Sequence, residues 1–300
     1  MKISFYKYEG TGNDFIIIDN RERPRPPKGA TKVKAPSGVW GKLDPKNYKL
    51  WKKLCDRRFG IGADGLMLLQ NKKGYDFEMY YVNADGKPTS MCGNGGRCIT
   101  HFAKSIGAIK GNKVRFLSID GPHEATINGD IVKLKMKDVD EVKVETEVKK
   151  LGNGKDSAEH YIVDTGSPHY VSFVKDVMKT DVYEEGKSIR NSVAFKKEGI
   201  NVNFVQFSKT PVLRTYERGV EDETLSCGTG TVAAALVLAA KGKATAKDHC
   251  DIKTMGGNLR VWFTKNSGQK SEVRSQNKVR FKDVYLEGPA TFVFKGEVEA

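Results

Sequence analysis

Two tetrapeptides, Cys92-Gly93-Asn94-Gly95 and Cys227-Gly228-Thr229-Gly230, repeat one device: a cysteine and two glycines ahead of a sequence with helical character. Tyr81 and Tyr216 stand eleven residues before the cysteines, and Gly107 and Gly242 stand fifteen after them. A cysteine at a helix start lies beside backbone N–H groups that lack intrahelical partners. Those groups and the helix dipole favour thiolate over thiol. Glycine lets backbone approach a ligand closely, and the same N–H groups can hold a carboxylate. Two such thiols suit proton exchange on opposite faces of one carbon, an amino-acid Cα held through its carboxylate. One thiolate removes the proton while the other thiol delivers one, and the donors at the carboxylate stabilise the developing charge. This chemistry requires neither a metal nor a pyridoxal cofactor. The pattern by itself leaves two other readings open. Each segment could be a structural turn around a buried cysteine. One cysteine could instead be a nucleophile with His169 or His249 as base, which would make the second surplus.

The 300 residues suffice for two domains of roughly 100–150 residues each. The formal net charge of +14 attracts anions. The lysines are dispersed, however, and no recognition-helix or zinc-finger pattern accompanies them, so they read as a solvated surface rather than a nucleic-acid face. No apolar run reaches the ~18 residues of a membrane span. The start, Met1-Lys2-Ile3-Ser4-Phe5, is too polar for a secretory signal, and a cytoplasmic location is the default expectation. The cysteines are Cys55, Cys92, Cys98, Cys227 and Cys250, an odd number without C-x2-C spacing. Reduced thiols and no metal site are expected. Cys55, Cys98 and Cys250 read as structural.

The elements that must position the two cysteines are legible in outline. Residues 3–8 and 15–19 pattern as strands around the turn Gly10-Thr11-Gly12-Asn13-Asp14. Residues 21–47 form a Pro-, Lys- and Gly-rich excursion, and Asp44-Pro45 could open a helix running through Cys55. Gly60-Ile61-Gly62-Ala63-Asp64-Gly65 matches G-x-G-x-x-G, but a helix precedes it and a strand follows. That is the reverse of a dinucleotide site, so a tight loop near the active site is expected. A strand at 77–82, a helix at 96–105 and strands at 113–119, 124–128 and 131–136 follow, with Asn128-Gly129 as a hairpin turn. The second half repeats the plan, with strands near 161–164, 201–207, 212–217, 251–254 and 259–264. Its helix, over 231–240, is apolar almost all round and should be wrapped by sheet. Strands near 278–286 and 291–295 complete the chain. The expected fold is α/β with two pseudo-symmetric lobes. Each is a curved, mostly antiparallel, barrel-like sheet around a central helix, with the active site in the cleft between them. The expected boundaries are 1–125 for the first lobe and 126–285 for the second, with 286–300 returning to the first.

At this point the chain resembles the diaminopimelate epimerase family. The resemblance spans essentially its whole length. It rests on Gly12-Asn13-Asp14-Phe15, Arg58-Phe59-Gly60-Ile61-Gly62-Ala63-Asp64-Gly65, Asn83-Ala84-Asp85-Gly86 and the first cysteine segment. Gly166-Ser167-Pro168-His169, Asn201-Val202, Tyr216-Glu217-Arg218-Gly219 and the second cysteine segment complete the set. The resemblance implies interconversion of LL- and meso-diaminopimelate without a cofactor, by a homodimer; the charge pattern and hydropathy above give no nucleic-acid or membrane partner. It gives Cys92 and Cys227 the catalytic roles. Asn13, Asn83 and Asn201 become substrate-binding side chains. Arg218 is matched to the distal carboxylate and Glu217 to the distal ammonium. Backbone at Gly93, Asn94, Gly228 and Thr229 is matched to the reacting carboxylate, with His169 in support. Ser167 stands where the family often has asparagine, and keeps a hydrogen-bonding group of shorter reach. Gly65 stands where another member pattern has glutamine, so that contact should be lost or made by backbone or water. A proline or hydroxyproline racemase-type isomerase and a non-catalytic binding protein on the same fold are the alternatives. Glu217-Arg218 with Asn201 favours the diamino diacid over proline.

Overall fold

The alternation of strand and helix patterns resolves into seventeen strands and four helices among the residues described by the computed structural model, which are 2–21, 43–145, 160–267 and 279–299. In chain order they are β1 (Lys2–Gly10), β2 (Asn13–Asp19), α1 (Tyr48–Cys55), β3 (Gly65–Gln70), β4 (Phe77–Asn83), α2 (Gly93–Ser105), β5 (Lys113–Ser118), β6 (Gly121–Asn128), β7 (Ile131–Lys135), β8 (Val142–Glu145), β9 (His160–Asp164) and β10 (Pro168–Val174). Then come α3 (Val182–Arg190), β11 (Asn201–Gln206), β12 (Val212–Glu217), β13 (Asp222–Thr224), α4 (Gly228–Ala240), β14 (His249–Thr254), β15 (Gly257–Ser267), β16 (Val279–Pro289) and β17 (Thr291–Glu299). Most of the 21–47 excursion lies outside the described residues.

Two compact units divide the chain: Met1–Val132 with Pro289–Ala300, and Lys133–Gly288. Each is built by the same pairing rule. In the first, β1–β2 is antiparallel, β2–β3 parallel, β3–β4 antiparallel, β4–β5 parallel and β5–β6 antiparallel. In the second, β9–β10, β10–β11, β11–β12, β12–β14 and β14–β15 repeat that order of senses. A parallel pair cannot be joined by a hairpin and needs a crossover. The crossovers are α1 and α2 in the first unit, α3 and α4 in the second, so the four helices occupy the four obligatory positions. The unit architecture is therefore α/β with two similar lobes. The C-terminal strand β17 pairs antiparallel with β1, from Lys2 opposite Glu299 to Glu9 opposite Thr291.

The second crossover helix of each unit is its core element. α4 buries Val232, Leu236, Val237, Leu238 and its alanines, and packs on strands from β8 to β15. Each large aliphatic side chain so buried contributes about 1.5–3 kcal/mol. α2 buries Cys98, Ile99 and Phe102 and leaves His101, Lys104 and Ser105 partly or fully accessible. Both helices stop in the same way. Gly107 and Gly242 take positive φ, 69° and 70°. Gly107 N donates to Lys104 O and Ala108 N to Ala103 O, while Gly242 N donates to Ala239 O and Lys243 N to Leu238 O. These are paired Schellman closures, and only a residue without Cβ adopts their left-handed position without strain.

Three sequence expectations shift. α2 begins at Gly93 rather than 96, and α4 at Gly228 rather than 231, because both cysteines are the N-caps themselves. The low helix propensity of Gly-Asn-Gly-Gly is overridden by burial of that whole first turn. α1 begins at Tyr48, later than Asp44-Pro45, because Asn47 accepts the capping bond from Leu50 N. The tyrosines at equal distance from the two cysteines are not equivalent. Tyr81 lies opposite Met67, the third residue of β3, whereas Tyr216 lies opposite Val202, the second residue of β11. A shift of one residue reverses the face. Tyr216 accordingly meets α3, where a Cβ on Gly186 would fall 2.4 Å from its own.

Candidate active site

The two registers place the candidate residues on equivalent faces of equivalent strands. Phe15 lies opposite Gly65, and Gly65 opposite Asn83. In the second unit His169 lies opposite Asn201, and Val202 opposite Tyr216, which brings Glu217 level with Asn201. Alternation of side chains along a strand then groups Asn13, Phe15, Gly65, Met67, Tyr81 and Asn83 on one face. The same rule groups Ser167, His169, Asn201, Asn203, Thr215 and Glu217 on the corresponding face of the second unit. The helix after each set packs on that face. A Cβ on Gly95, three residues past Cys92, would meet Met67 and Phe15 at 3.4–3.5 Å. One on Gly230, three past Cys227, would meet Asn203 Oδ1 at 2.4 Å.

In the first unit the Cys92 thiol makes no capping bond. It is directed at Asn13 Oδ1, 3.6 Å away, which also accepts from Asn94 Nδ2 at 3.5 Å. Asn13 Nδ2 donates to Asp64 Oδ2 at 2.6 Å. Asp64 is held in turn by Arg57, which also grips Asp14 through two bonds of 2.6 and 3.0 Å. Lys7, nearly buried, completes the brace with an ion pair to Asp14 at 2.7 Å and a bond to the Gly62 carbonyl. Burial opposes ionisation of Asp14, but the hydrogen bonds and charges of Arg57 and Lys7 outweigh it and hold the carboxyl well below the usual carboxylate range. Behind the cysteine, Arg97 is wholly buried. Its guanidinium donates to Asn94 Oδ1, Thr11 Oγ1 and the carbonyls of Gly93 and Pro289. Arginine only donates, so Asn94 must turn its oxygen inward and its NH2 towards Asn13. The fifth position after Cys227 is Val232. A buried cation in the first half-site thus has no counterpart at the matching position of the second.

In the second unit Asn201 ties three strands together. Its Nδ2 donates to Ser167 Oγ at 2.7 Å and to Pro168 O at 3.0 Å, and its Oδ1 accepts from Arg218 N at 2.9 Å. Glu217 accepts from Thr224 Oγ1 at 2.9 Å, and Arg218 Nη1 donates to Glu198 O at 3.0 Å. The Cys227 thiol lies 3.5 Å from Thr229 Oγ1. His169 is fully buried. Its Nδ1 faces Asn203 Nδ2 at 3.1 Å, and Asn203 is fixed by Tyr170 O and Thr215 Oγ1. The neutral ring therefore carries its proton on Nε2, a buried atom without a hydrogen-bond partner among the described residues. Burial, reinforced by the charge of Arg218 and opposed by Asp164, pushes His169 down to about 3.

The remaining thiols lie elsewhere in the fold, Cys55 ending α1, Cys98 within α2 and Cys250 in β14. Burial pushes Cys55 up to about 12 and raises Cys98 and Cys250 as well. The G-x-G-x-x-G loop has a packing explanation. A Cβ on Gly60 would fall 2.0 Å from Lys53 O, and Gly62 takes φ 81°. The loop folds back on the end of α1 and delivers Asp64 to Asn13. Among the described residues no group of three histidine, cysteine or carboxylate side chains could hold a metal, and no helix is long and apolar enough to cross a membrane. Sequence reasoning missed Lys7, Arg57, Asp64, Arg97, Asn203 and Thr215. The available signal was polarity where periodicity called for apolar residues: Lys7 in β1, Arg97 in α2 and Asn203 in β11.

A family model described as diaminopimelate epimerase matches residues 5–147 and 161–280. The diaminopimelate epimerase of Flavobacterium psychrophilum is 45% identical over 297 residues, covering 98% of this chain and 99% of that one. The diaminopimelate epimerase of Chlorobaculum tepidum is 38% identical, covering 96% and 98%. Among solved structures, a phenazine biosynthesis protein of the PhzF family from Bacillus anthracis matches over 100% of both chains with a TM-score of 0.67 at 13% identity. A hydroxyproline epimerase from Agrobacterium vitis matches with a TM-score of 0.65 at 16% identity, over 99% of this chain and 92% of that one. At such identities the structures share the fold, while the sequence matches carry the closer relationship. The chain belongs to the diaminopimelate epimerase family.

Proposed function

We propose that this enzyme interconverts LL- and meso-2,6-diaminopimelate by proton transfer between two cysteines and the substrate Cα. Family membership supports the substrate. The observation that carries the mechanism is the repeated half-site: in each unit a cysteine N-caps a buried helix without spending its thiol on the cap. In this reading the two units are the lobes of one enzyme, each a curved sheet closing around its helix, and the half-sites face one substrate.

The first intrahelical bonds are Gly96 N to Cys92 O and Thr231 N to Cys227 O. The N–H groups ahead of them, at Gly93, Asn94, Gly228 and Thr229, belong to the first turn and suit a carboxylate. Binding the reacting carboxylate there places Cα between the sulfurs and stabilises charge as the proton leaves. Cys92 serves one face and Cys227 the other, with roles exchanged in the reverse direction. Asn13 and Asn83 bind substrate polar groups, and Asn201 acts with Ser167. Arg218 pairs with the distal carboxylate and Glu217 with the distal ammonium. His169, a layer deeper, supports the second half-site. No cofactor takes part. Incubating LL-diaminopimelate with the protein in D2O should give meso product with one solvent deuterium at the inverted carbon. Turnover of proline or hydroxyproline instead would overturn the substrate assignment.

A cytoplasmic homodimer belongs to the same proposal. Exposed Phe292, Val293 and Phe294 on β17 support an association surface. A monomeric mass at micromolar concentration in sedimentation would reject the dimer.

A further inference from the structure

The middle strand of each half-site breaks the repeat. β11 presents Asn201 at the position where β3 presents Gly65. The space above Gly65 is not open, however. A Cβ there would fall 2.5 Å from Tyr81 Cε2, 2.9 Å from Tyr81 Oη and 2.8 Å from the Val82 carbonyl oxygen. Tyr81 lies two residues before Asn83 on β4, on the same face, and Asn83 lies directly opposite Gly65. Its ring meets Phe15 edge-on, with centroids 6.0 Å apart and planes at 71°. Phe15 is the neighbour of Gly65 on the other side. The tyrosine thus leans along the strand over the glycine and carries its hydroxyl to where a side chain of β3 would begin, between the strands bearing Asn13 and Asn83. The second unit has no such residue to offer, because Thr215 stands in the position of Tyr81 and is too short to reach over a neighbouring strand.

Resting on the epimerase reading, we infer that the Tyr81 hydroxyl is a substrate-binding group of the first half-site, standing in the place that Asn201 holds in the second. A phenol hydroxyl donates one hydrogen bond and accepts others, so it can serve a zwitterionic amino acid while keeping a protein partner. The glycine at 65 is then required twice, since a Cβ would displace the ring and crowd the Val82 carbonyl. Tyr81 and Gly65 form one unit, a side chain borrowed from the adjacent strand.

Three variants test this with LL-diaminopimelate as the probe. Tyr81→Phe keeps the ring packing and removes only the hydroxyl. It should raise KM about tenfold, the loss of one hydrogen bond to a charged ligand, while kcat changes less than about twofold and the melting temperature stays put. Gly65→Ala keeps the hydroxyl but pushes the ring aside, and should raise KM comparably. In Tyr81→Ala the anchor is missing. The KM of that variant should rise at least as much as that of Tyr81→Phe. A KM within twofold of wild type for Tyr81→Phe, or for Tyr81→Ala when it is folded by circular dichroism, overturns the inference. Failure of the wild-type protein to epimerise diaminopimelate would instead overturn the epimerase reading itself.

Discussion

Alanine at the third residue of each core helix should act with opposite sign in the two units. Gly95 and Gly230 are both the third helical residue after their cysteine, and both are buried. In an α-helix Gly→Ala gains up to about 1 kcal/mol, less in a first turn. At Gly95 the new methyl would sit 3.4–3.5 Å from Met67 and Phe15, ordinary van der Waals contact, so that gain should survive. At Gly230 it would sit 2.4 Å from Asn203 Oδ1 and 3.3 Å from Cys227 Cβ and Sγ. Asn203 has nowhere to go, because its amide is fully buried and bonded to His169, Tyr170 and Thr215. Overpacking of about 1–3 kcal/mol and a weakened hydrogen bond of about 1 kcal/mol outweigh the helix gain. Gly230→Ala should therefore cost about 1–3 kcal/mol, or roughly 3–10 °C in melting temperature for a unit of this size. Gly95→Ala should leave the melting temperature unchanged or slightly raised. Differential scanning fluorimetry of the two variants measures both. Equal shifts would refute the reasoning, because they would mean that the face beneath the helix does not distinguish the halves.

Cys92→Ala and Cys227→Ala should each reduce epimerisation by several orders of magnitude. NMR follows exchange of the substrate α-proton with D2O, and full epimerisation by either variant would rule out a two-thiol mechanism. His169 has a folded-state pKa depressed to about 3 against ~6.5 unfolded, so it contributes stability above pH ~6.5 that fades as pH falls towards 3. Urea midpoints of His169→Gln should show a flatter acid limb than wild type, and an identical limb would contradict burial as a neutral ring. Asp14, depressed by Arg57 and Lys7, contributes stability above the unfolded carboxylate range that is lost only as pH falls below ~4. Asp14→Asn should thus cost stability at pH 7, with the cost shrinking steadily only as pH falls below ~4, and a pH-independent difference would count against the brace. Iodoacetamide at pH 8 followed by peptide mapping should modify half-exposed Cys92 before Cys55 and Cys98, and the opposite order would contradict their placement.

Much of the site was legible in the sequence because its chemistry is concentrated in short contiguous segments. The cysteine loops and the glycines fifteen residues on located both core helices from spacing, although each helix starts three residues earlier than expected, directly after its cysteine cap. The apolar circumference of 231–240 announced a helix buried on every side. What was not legible depends on register. Nothing local in the chain tells that Tyr81 faces α2 while Tyr216 faces α3, since equal spacing from a cysteine carries no information about strand pairing. The brace around Asn13 was hidden for a similar reason. Lys7, Arg57 and Asp64 are far apart in sequence and meet only because β1 and the loop after α1 converge on the start of β2. Gly65 looked like a lost contact, but the space above it is filled from the neighbouring strand.

The buried cation at Arg97, with Val232 in its place in the other half, bears on how the reaction runs in its two directions. A catalyst cannot alter the ratio of the stereoisomers at equilibrium, so the kcat/KM values of the forward and reverse reactions remain bound to that ratio. Within this constraint an uneven pair of half-sites is free to divide the barrier unequally between binding and turnover. One stereoisomer can be held more tightly and released more slowly than the other. In the proposed mechanism the two acid–base groups thus work in unlike surroundings, one with a buried cation five residues on and one with valine there.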